Sequence, residues 1–314
     1  MPDTALSPAT CAQICAQLAR DSTYVRHWPL TGGVSAHTTA IEMRQAGDAV
    51  RHVVVRRHGD ASFKDHHADV TQTEFNLLQA LHNAGLSVPP PLLVDASGSL
   101  LPSPFLVMEL IAGTSHVATA HIPTALAQMA DFLAQLHQLD PEQLNLPVLP
   151  TGDDPIQGAL RYIPDTAELR QLRGALQDWT LRPASARLLH GDFWPGNVLW
   201  QDQQLAAVLD WEDASVGSPL SDLAASRCEL HVAYGSTAVE TFTQRYSEYG
   251  NGDAHTDSYA DAYAHHADLA VWELYAGYAA LSSLHAWGLP ANQEQHRRQR
   301  TTEFVQRAGR QLLA

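Results

Sequence analysis

Lysine is almost missing from this chain. Of its 314 residues 19 are lysine or arginine, and Lys64 is the one lysine among them, so any chemistry that usually employs lysine must here employ arginine or be absent. Cations are scarce in general: 19 stand against 34 Asp and Glu, a net charge of −15. That is the wrong sign for a surface that binds nucleic-acid backbones, and no nucleic-acid partner is expected. Cysteine is scarce too. Cys11, Cys15 and Cys228 are too few and too odd in number for a disulfide framework, which suits a reducing compartment. Cys11 and Cys15, one helical turn apart, read as small apolar residues on a helix face. No basic residue precedes Arg20, and no long apolar run follows the N terminus, so the pattern of a secretory leader is lacking and a cytoplasmic location is expected. Leu269 to Leu289 has the length of a membrane span. It also carries Glu273, Ser282, Ser283 and His285, and a buried helix is the expectation, with no membrane partner.

What the chain does have is a 45% hydrophobic content, enough for a substantial core. A short amphipathic helix is expected near Cys11 to Arg20. Tyr24 to Leu30, Ser35 to Met43 and Val50 to Arg57 read as consecutive antiparallel strands, separated by the turn signals Gly32-Gly33 and Gly47-Asp48. Val70 to Ala84 has a helical apolar pattern ended by Gly85, and Pro89-Pro90-Pro91 forbids its continuation. Leu92 to Asp95 and Phe105 to Ile111 supply two more strands. From Ile122 the pattern turns helical: Ala125 to Leu139, Ala167 to Trp179, Leu220 to Tyr234, Ala238 to Tyr249, Tyr259 to Trp287 with a break, and Asn292 to Leu313. Pro141 to Pro164 reads as a loop. The expected organisation is α+β, with a strand-rich N-lobe over residues 1–110 and a larger helical C-lobe over residues 111–314.

One stretch carries the chemistry: Leu188-Leu-His-Gly-Asp-Phe-Trp-Pro-Gly-Asn-Val-Leu-Trp200, followed by Leu209-Asp-Trp-Glu-Asp213. Val198 to Trp200 and Leu205 to Leu209 are apolar strands joined by a polar turn, a hairpin. A hairpin brings Asn197 and Asp210 to its open end, where an amide oxygen and a carboxylate are hard ligands suited to Mg²⁺. Asp192 stands five residues before Asn197 in a loop shaped by Gly191, Pro195 and Gly196. There it can accept a proton from a substrate hydroxyl. His190 is expected to brace the loop.

The spacing His190-x-Asp192-x-x-x-x-Asn197 followed by Asp210-Trp211-Glu212 is similar to the catalytic loop and metal segment of protein kinases. Its specific form resembles the aminoglycoside phosphotransferase family of small-molecule kinases, which includes choline-kinase-like relatives. The resemblance is gapless from Leu188 to Ala224. It implies a protein-kinase-like two-lobe fold, with a small antiparallel-sheet N-lobe and a larger helical C-lobe. It also implies ATP and Mg²⁺ as cofactors, and a nucleoside triphosphate and a small hydroxylated acceptor as partners.

The resemblance further implies roles in the strand-rich region. Arg56, in Val53-Val54-Val55-Arg56, takes the place of the phosphate-gripping lysine, with Arg57 as its alternative because adjacent strand residues face opposite ways. Glu74 resembles the acid that holds this cation. Gly32, Gly33 and Ser35 resemble the phosphate-covering loop. Met108-Glu109-Leu110-Ile111 looks like the hinge whose backbone reads the adenine edge. His137, in the helix before the catalytic loop, is structural. Glu229, Trp272, Glu273 and Tyr275 are candidates to line the acceptor site, where carboxylates and aromatic faces suit a hydroxylated and cationic molecule; solubility is the competing reading of the acidity. One departure is Gly217-Ser218-Pro219, where many members carry Gly-Asp-Pro. The alternatives are a catalytically silent nucleotide-binding module on the same fold, or a metal-dependent phosphoester hydrolase. The His-rich stretch 58–67 matches no metal-site spacing.

Overall fold

The computed structural model describes residues 6–30, 36–58, 67–144, 146, 148–183, 185–249 and 266–314. The chain divides into two compact units: Met1–Gly113 with Asn145–Val148 and Ala206–Glu212, and Thr114–Leu144 with Leu149–Leu205 and Asp213–Ala314.

The first unit is built on β1 (Thr23–Pro29), β2 (Ala36–Arg44), β3 (Val50–His58), β4 (Pro91–Asp95) and β5 (Phe105–Glu109), in the order β1-β2-β3-β5-β4. All neighbouring pairs are antiparallel. Gly47 and Asp48, with φ of 83° and 64°, make the turn between β2 and β3 where the sequence placed it. Side chains alternate across a sheet, so each strand has two faces. On one face Ile41, Met43, Val53, Val55, Phe105 and Val107 pack with Cys11, Ile14 and Cys15 of α1 (Pro8–Leu18). Ser7 caps α1 by accepting the Thr10 N–H at 3.1 Å, a standard way to satisfy a helix start. Both thiols are fully buried. Burial, then the neighbouring Cys15, pushes Cys11 up to about 11, so these cysteines are packing residues. Helix α2 (His67–Asn83) presents Thr71, Glu74, Leu77, Leu78 and Leu81 as its buried stripe, the spacing of one helix face.

The second unit holds α3 (Ile122–Gln138), α4 (Pro155–Tyr162), α5 (Arg170–Asp178), α6 (Leu220–Tyr234), α7 (Ser236–Glu248), α8 (His266–Ser283) and α9 (Ala291–Leu312). Residues from α4, α5, α6, α8 and α9 share one core that includes Ala159, Leu176, Cys228, Leu274, Phe304 and Ala308. Short strands β6 (Arg187–Leu189) and β9 (Ser215–Gly217) pair antiparallel, and β7 (Val198–Gln201) and β8 (Gln204–Val208) form the expected hairpin. Its turn is tight: Asp202 and Gln203 both have positive φ, 49° and 67°, as a two-residue hairpin turn requires.

Two expectations need correction. The stretch 141–164 contains a helix, α4, because Asp154 accepts the Ile156 N–H at 2.8 Å and Pro155 occupies the first turn. Proline breaks a helix interior but starts one well. The last long helical segment is described only from His266, and it stops at Ser283 before a 3-10 turn at Leu284–Trp287 and Gly288 with φ 64°. Among the described residues no helix is long and apolar enough to cross a membrane.

Candidate active site

The alternation of β3 decides between its two arginines. Val53 and Val55 face α1, and by period two Arg57 shares their face while Arg56 takes the other. There its Nη1 donates to Glu74 Oε2 at 2.6 Å, and its Nη2 donates to Asp210 Oδ1 at 2.6 Å and to Glu212 Oε2 at 3.0 Å. Glu74 is 3% and Arg56 6% exposed. A carboxylate inside an apolar helix stripe is costly without such a partner. Burial alone would make the Arg56 guanidinium less basic, but the charges of Glu74, Asp210 and Glu212 outweigh it and hold the pKa above its ordinary value. These four side chains sum to −2, one cation against three carboxylates. Asp210 adopts φ 66°, a conformation that non-glycine residues occupy at a cost and that marks functional positions. The fully buried Trp211 pins the turn through its Nε1–H on the Val208 carbonyl at 3.0 Å.

In the second unit the catalytic-loop motif is locked from behind. Asp222, 1% exposed, accepts the backbone N–H of His190 at 2.7 Å and of Gly191 at 2.9 Å, and lies 3.2 Å from His137 Nε2. His137 Nδ1 is 2.7 Å from Tyr246 Oη, so a hydroxyl donor on Nδ1 leaves Nε2–H to donate to Asp222. Burial raises the Asp222 pKa, but hydrogen bonding from His137, the charges of His137 and His190, and the His190 N–H lower it further, leaving a net downward shift. His190 braces the loop as expected, its Nδ1 accepting the Asp192 N–H at 3.1 Å. Ser226, one turn after Asp222 on α6, donates to the Phe193 carbonyl at 2.8 Å. Gly191 has φ 87°, and a Cβ there would stand 2.2 Å from the Asp213 carbonyl oxygen, so no larger residue fits.

The front of this loop is open. Asp192 is exposed, and Asn197 Nδ2 donates to its backbone oxygen and to its Oδ2, both at 2.9 Å. Both partners are acceptors only, so the amide nitrogen must face them, and Asn197 Oδ1 is left without a protein donor among the described residues. Amide and carboxylate oxygens, such as those of Asn197 in the second unit and Asp210 in the first, are the hard donor types that magnesium takes. Magnesium needs only one or two protein ligands beside phosphate and water oxygens.

The other candidates divide. Gly32, Gly33 and Ser35, and most of the stretch 58–67, lie outside the described residues. Glu109 ends β5 with its N–H donating to the Pro90 carbonyl at 3.0 Å and its carboxylate paired with Arg51, so that N–H is spent on the sheet and cannot read an adenine. The Ile111 N–H has no protein acceptor among the described residues. In the acceptor set, Glu273 is buried at 1% exposure, with Oε1 2.7 Å from Arg227 Nε and 3.6 Å from Arg307 Nη2. Trp272 is a core residue, and Tyr275 stacks on Tyr162 and hydrogen-bonds Asp153. Glu229 pairs with Arg297 at 2.8 Å. The two carboxylates expected to draw in a cation are therefore each matched by arginine. Ser218 keeps a long local contact, its Oγ 3.4 Å from the Leu220 N. Sequence reading left Glu212, Ser226, Tyr246 and Arg297 without roles. The first two sit two residues after Asp210 and one turn after Asp222, so spacing could have found them.

Residues 29–277 match the model of a family described as APH, phosphotransferase enzyme family. Among solved structures, the chain is similar to APH(4)-Ia in a ternary complex with ADP and hygromycin B (TM-score 0.62, 16% identity, 95% of this chain and 98% of that one). It is also similar to choline kinase LicA from Streptococcus pneumoniae (TM-score 0.58, 18% identity, 94% and 97%). At such identities the likeness is one of fold. Among curated proteins, acyl-CoA dehydrogenase family member 11 of Rattus norvegicus is 31% identical over 170 residues, 48% of this chain and 22% of that protein. This chain thus matches only about a fifth of the length of those relatives.

Proposed function

The chain belongs to the APH phosphotransferase enzyme family and is a small-molecule kinase of protein-kinase-like fold; from that premise we propose that it moves the γ-phosphoryl group of ATP to a hydroxyl of a small molecule. The observation that carries this reading is the exposed Asp192 carboxylate, steadied by Asn197 on a loop fastened by Asp222. Asp192 orients the acceptor hydroxyl and takes its proton as the new O–P bond forms and the bond to the β-phosphate oxygen breaks, releasing ADP. Phosphoryl transfer has a loose transition state, so most of the catalytic gain comes from positioning and charge. Arg56, held by Glu74, offers a planar fork to phosphate oxygens, a bidentate task that arginine performs well. Asn197 Oδ1 and Asp210 are the residues that would hold Mg²⁺. When bound, the ion neutralises phosphate oxygens. The Ile111 N–H is the hinge donor for the base in this reading, and the phosphate-covering role of Gly32, Gly33 and Ser35 rests on the sequence resemblance alone.

The deciding experiment measures ADP release on a panel of hydroxylated molecules. It includes aminoglycosides and choline, after the solved neighbours, and hydroxyacyl thioesters, because the curated relatives carry acyl-CoA in their names. Asp192→Ala should lower turnover of an accepted substrate by on the order of 10³-fold with the melting temperature preserved. Turnover unchanged by that substitution excludes Asp192 as the base. Phosphate release from phosphoesters without ATP would instead favour a hydrolase, and MgADP binding without turnover of any acceptor would favour a silent module.

A further inference from the structure

Helix α9 contradicts the charge of the chain around it. It carries Arg297, Arg298, Arg300, Arg307 and Arg310 against Glu294 and Glu303, 5 − 2 = +3, within a protein of −15. One of these arginines reaches the catalytic loop. The guanidinium carbon of Arg297 lies 5.7 Å from the ring centroid of Trp194 and 5.0 Å from that of Trp287, within cation–π range of both. Its Nη1 donates to Glu229 Oε2 at 2.8 Å. Trp194 is two residues from Asp192 and folds back on the same loop, so closely that a Cβ on Gly196 would stand 2.2 Å from its ring. Arg297 is thereby tied to the loop that carries the proposed base.

Two indole faces and a carboxylate are what an ammonium-binding slot is made of, and here the protein's own guanidinium fills it. A cationic acceptor would find the carboxylate of this slot, Glu229, already taken by Arg297. Ring faces hold the guanidinium but accept little from its N–H groups, and among the described residues Glu229 is its only hydrogen-bond acceptor. Its remaining donors form a rigid, pre-oriented fork, which suits the oxygens of a carboxylate or phosphate. Resting on the phosphotransferase reading above, we propose that Arg297, steadied by Trp194, Trp287 and Glu229, selects an acceptor that carries an anionic group as well as the hydroxyl to be phosphorylated.

The test uses three-carbon probes that differ chiefly in charge: glycerate and glycerol phosphate as anions, glycerol as the neutral compound, serinol as the cation, with kanamycin and choline added. The expected result is a kcat/KM for the best anionic probe at least tenfold above that for glycerol. Arg297→Gln should cut this anionic-over-neutral ratio by tenfold or more, mainly through KM, and Arg297→Lys should recover part of it. A ratio is unaffected by partial loss of folded protein. A highest kcat/KM for serinol, choline or kanamycin overturns the proposal, as does a ratio that Arg297→Gln leaves unchanged. Should no probe be turned over, tryptophan fluorescence titrated with glycerate and with glycerol phosphate decides. A saturable change that Arg297→Gln abolishes supports the assignment, and no saturable change sinks it. Stabilisation by MgADP against heat is followed in parallel, because its absence counts against the kinase reading, whereas its presence with indifferent Arg297→Gln counts only against this one.

Discussion

Two buried ionic centres, one in each unit, are built on opposite principles. Around Arg56, the carboxylates of Glu74, Asp210 and Glu212 share one guanidinium among the described residues. Around Asp222, one carboxylate receives two backbone N–H groups and the His137 ring, which is itself backed by Tyr246. In the first, one guanidinium divides its N–H groups among three carboxylates, an arrangement that in the proposed reaction would let it exchange partners with phosphate oxygens. In the second every polar atom has a complement of matching type, and the result is a knot that fixes the shape of a loop. A shared guanidinium suits the proposed ligand, while a saturated carboxylate serves the fold.

That contrast breaks if the two centres respond alike to mutation. Asp210→Asn should produce the largest effect, a fall in kcat/KM on the order of 10³-fold, equivalent to about 4 kcal/mol of transition-state stabilisation. Its melting temperature should stay within about 3 °C of the parent, since two carboxylates remain on Arg56. Asp222→Ala should do the reverse in kind. It strands the buried His190 N–H and the part-buried Gly191 N–H, and unfolding in urea should register a loss of about 3 kcal/mol, with activity falling along with the folded loop. Equal melting temperatures for the two variants would erase the distinction.

Acid sharpens the same point. Asp95, also buried, would be raised by desolvation alone. The Ser97 hydroxyl, the Leu100 and Ser97 N–H groups and the Ser99 hydroxyl instead bring its pKa down to about 2. A carboxylate depressed below its unfolded value contributes stability in full above that value and loses it as pH falls through the folded one. Its share, on the order of 2 kcal/mol, should therefore be complete at neutral pH and fade between about pH 5 and pH 2. Asp222, shifted in the same direction, adds to the same acid limb. Asp95→Asn should be less stable than the parent near neutrality and converge on it near pH 2 in denaturant titrations; a constant gap would refute the linkage. The smallest effect is that of Tyr246→Phe, which removes one hydrogen bond behind His137 and should cost about 1 kcal/mol while kcat stays within about threefold.

Much of this was legible in the residues themselves. The strands β1, β2 and β3 follow from β-branched stretches and, between β2 and β3, the Gly47-Asp48 turn, and α6 begins and ends where its apolar pattern does. The resemblance already preferred Arg56 over Arg57, but the physical reason came only with the α1 face of β3, because alternation yields two faces without saying which is which. Helix α4 was hidden because its proline was read as a breaker when it sits in the first turn. Glu229 and Glu273 looked like acceptor residues because sequence reports that a carboxylate exists and says nothing of whether it is already paired.

By itself the sequence determined the order of elements, the loop that carries Asp192 and Asn197, and the need for arginine in place of lysine. These rest on neighbours within about twenty residues, where spacing and geometry are nearly the same thing. Tertiary structure alone decided which charges are spent and which remain. Arg297 meets Trp194 across 103 residues of chain and Glu229 across 68, and Arg227 meets Glu273 across 46. Electrostatic pairing acts through space over a few ångströms, so no pattern along the chain encodes it.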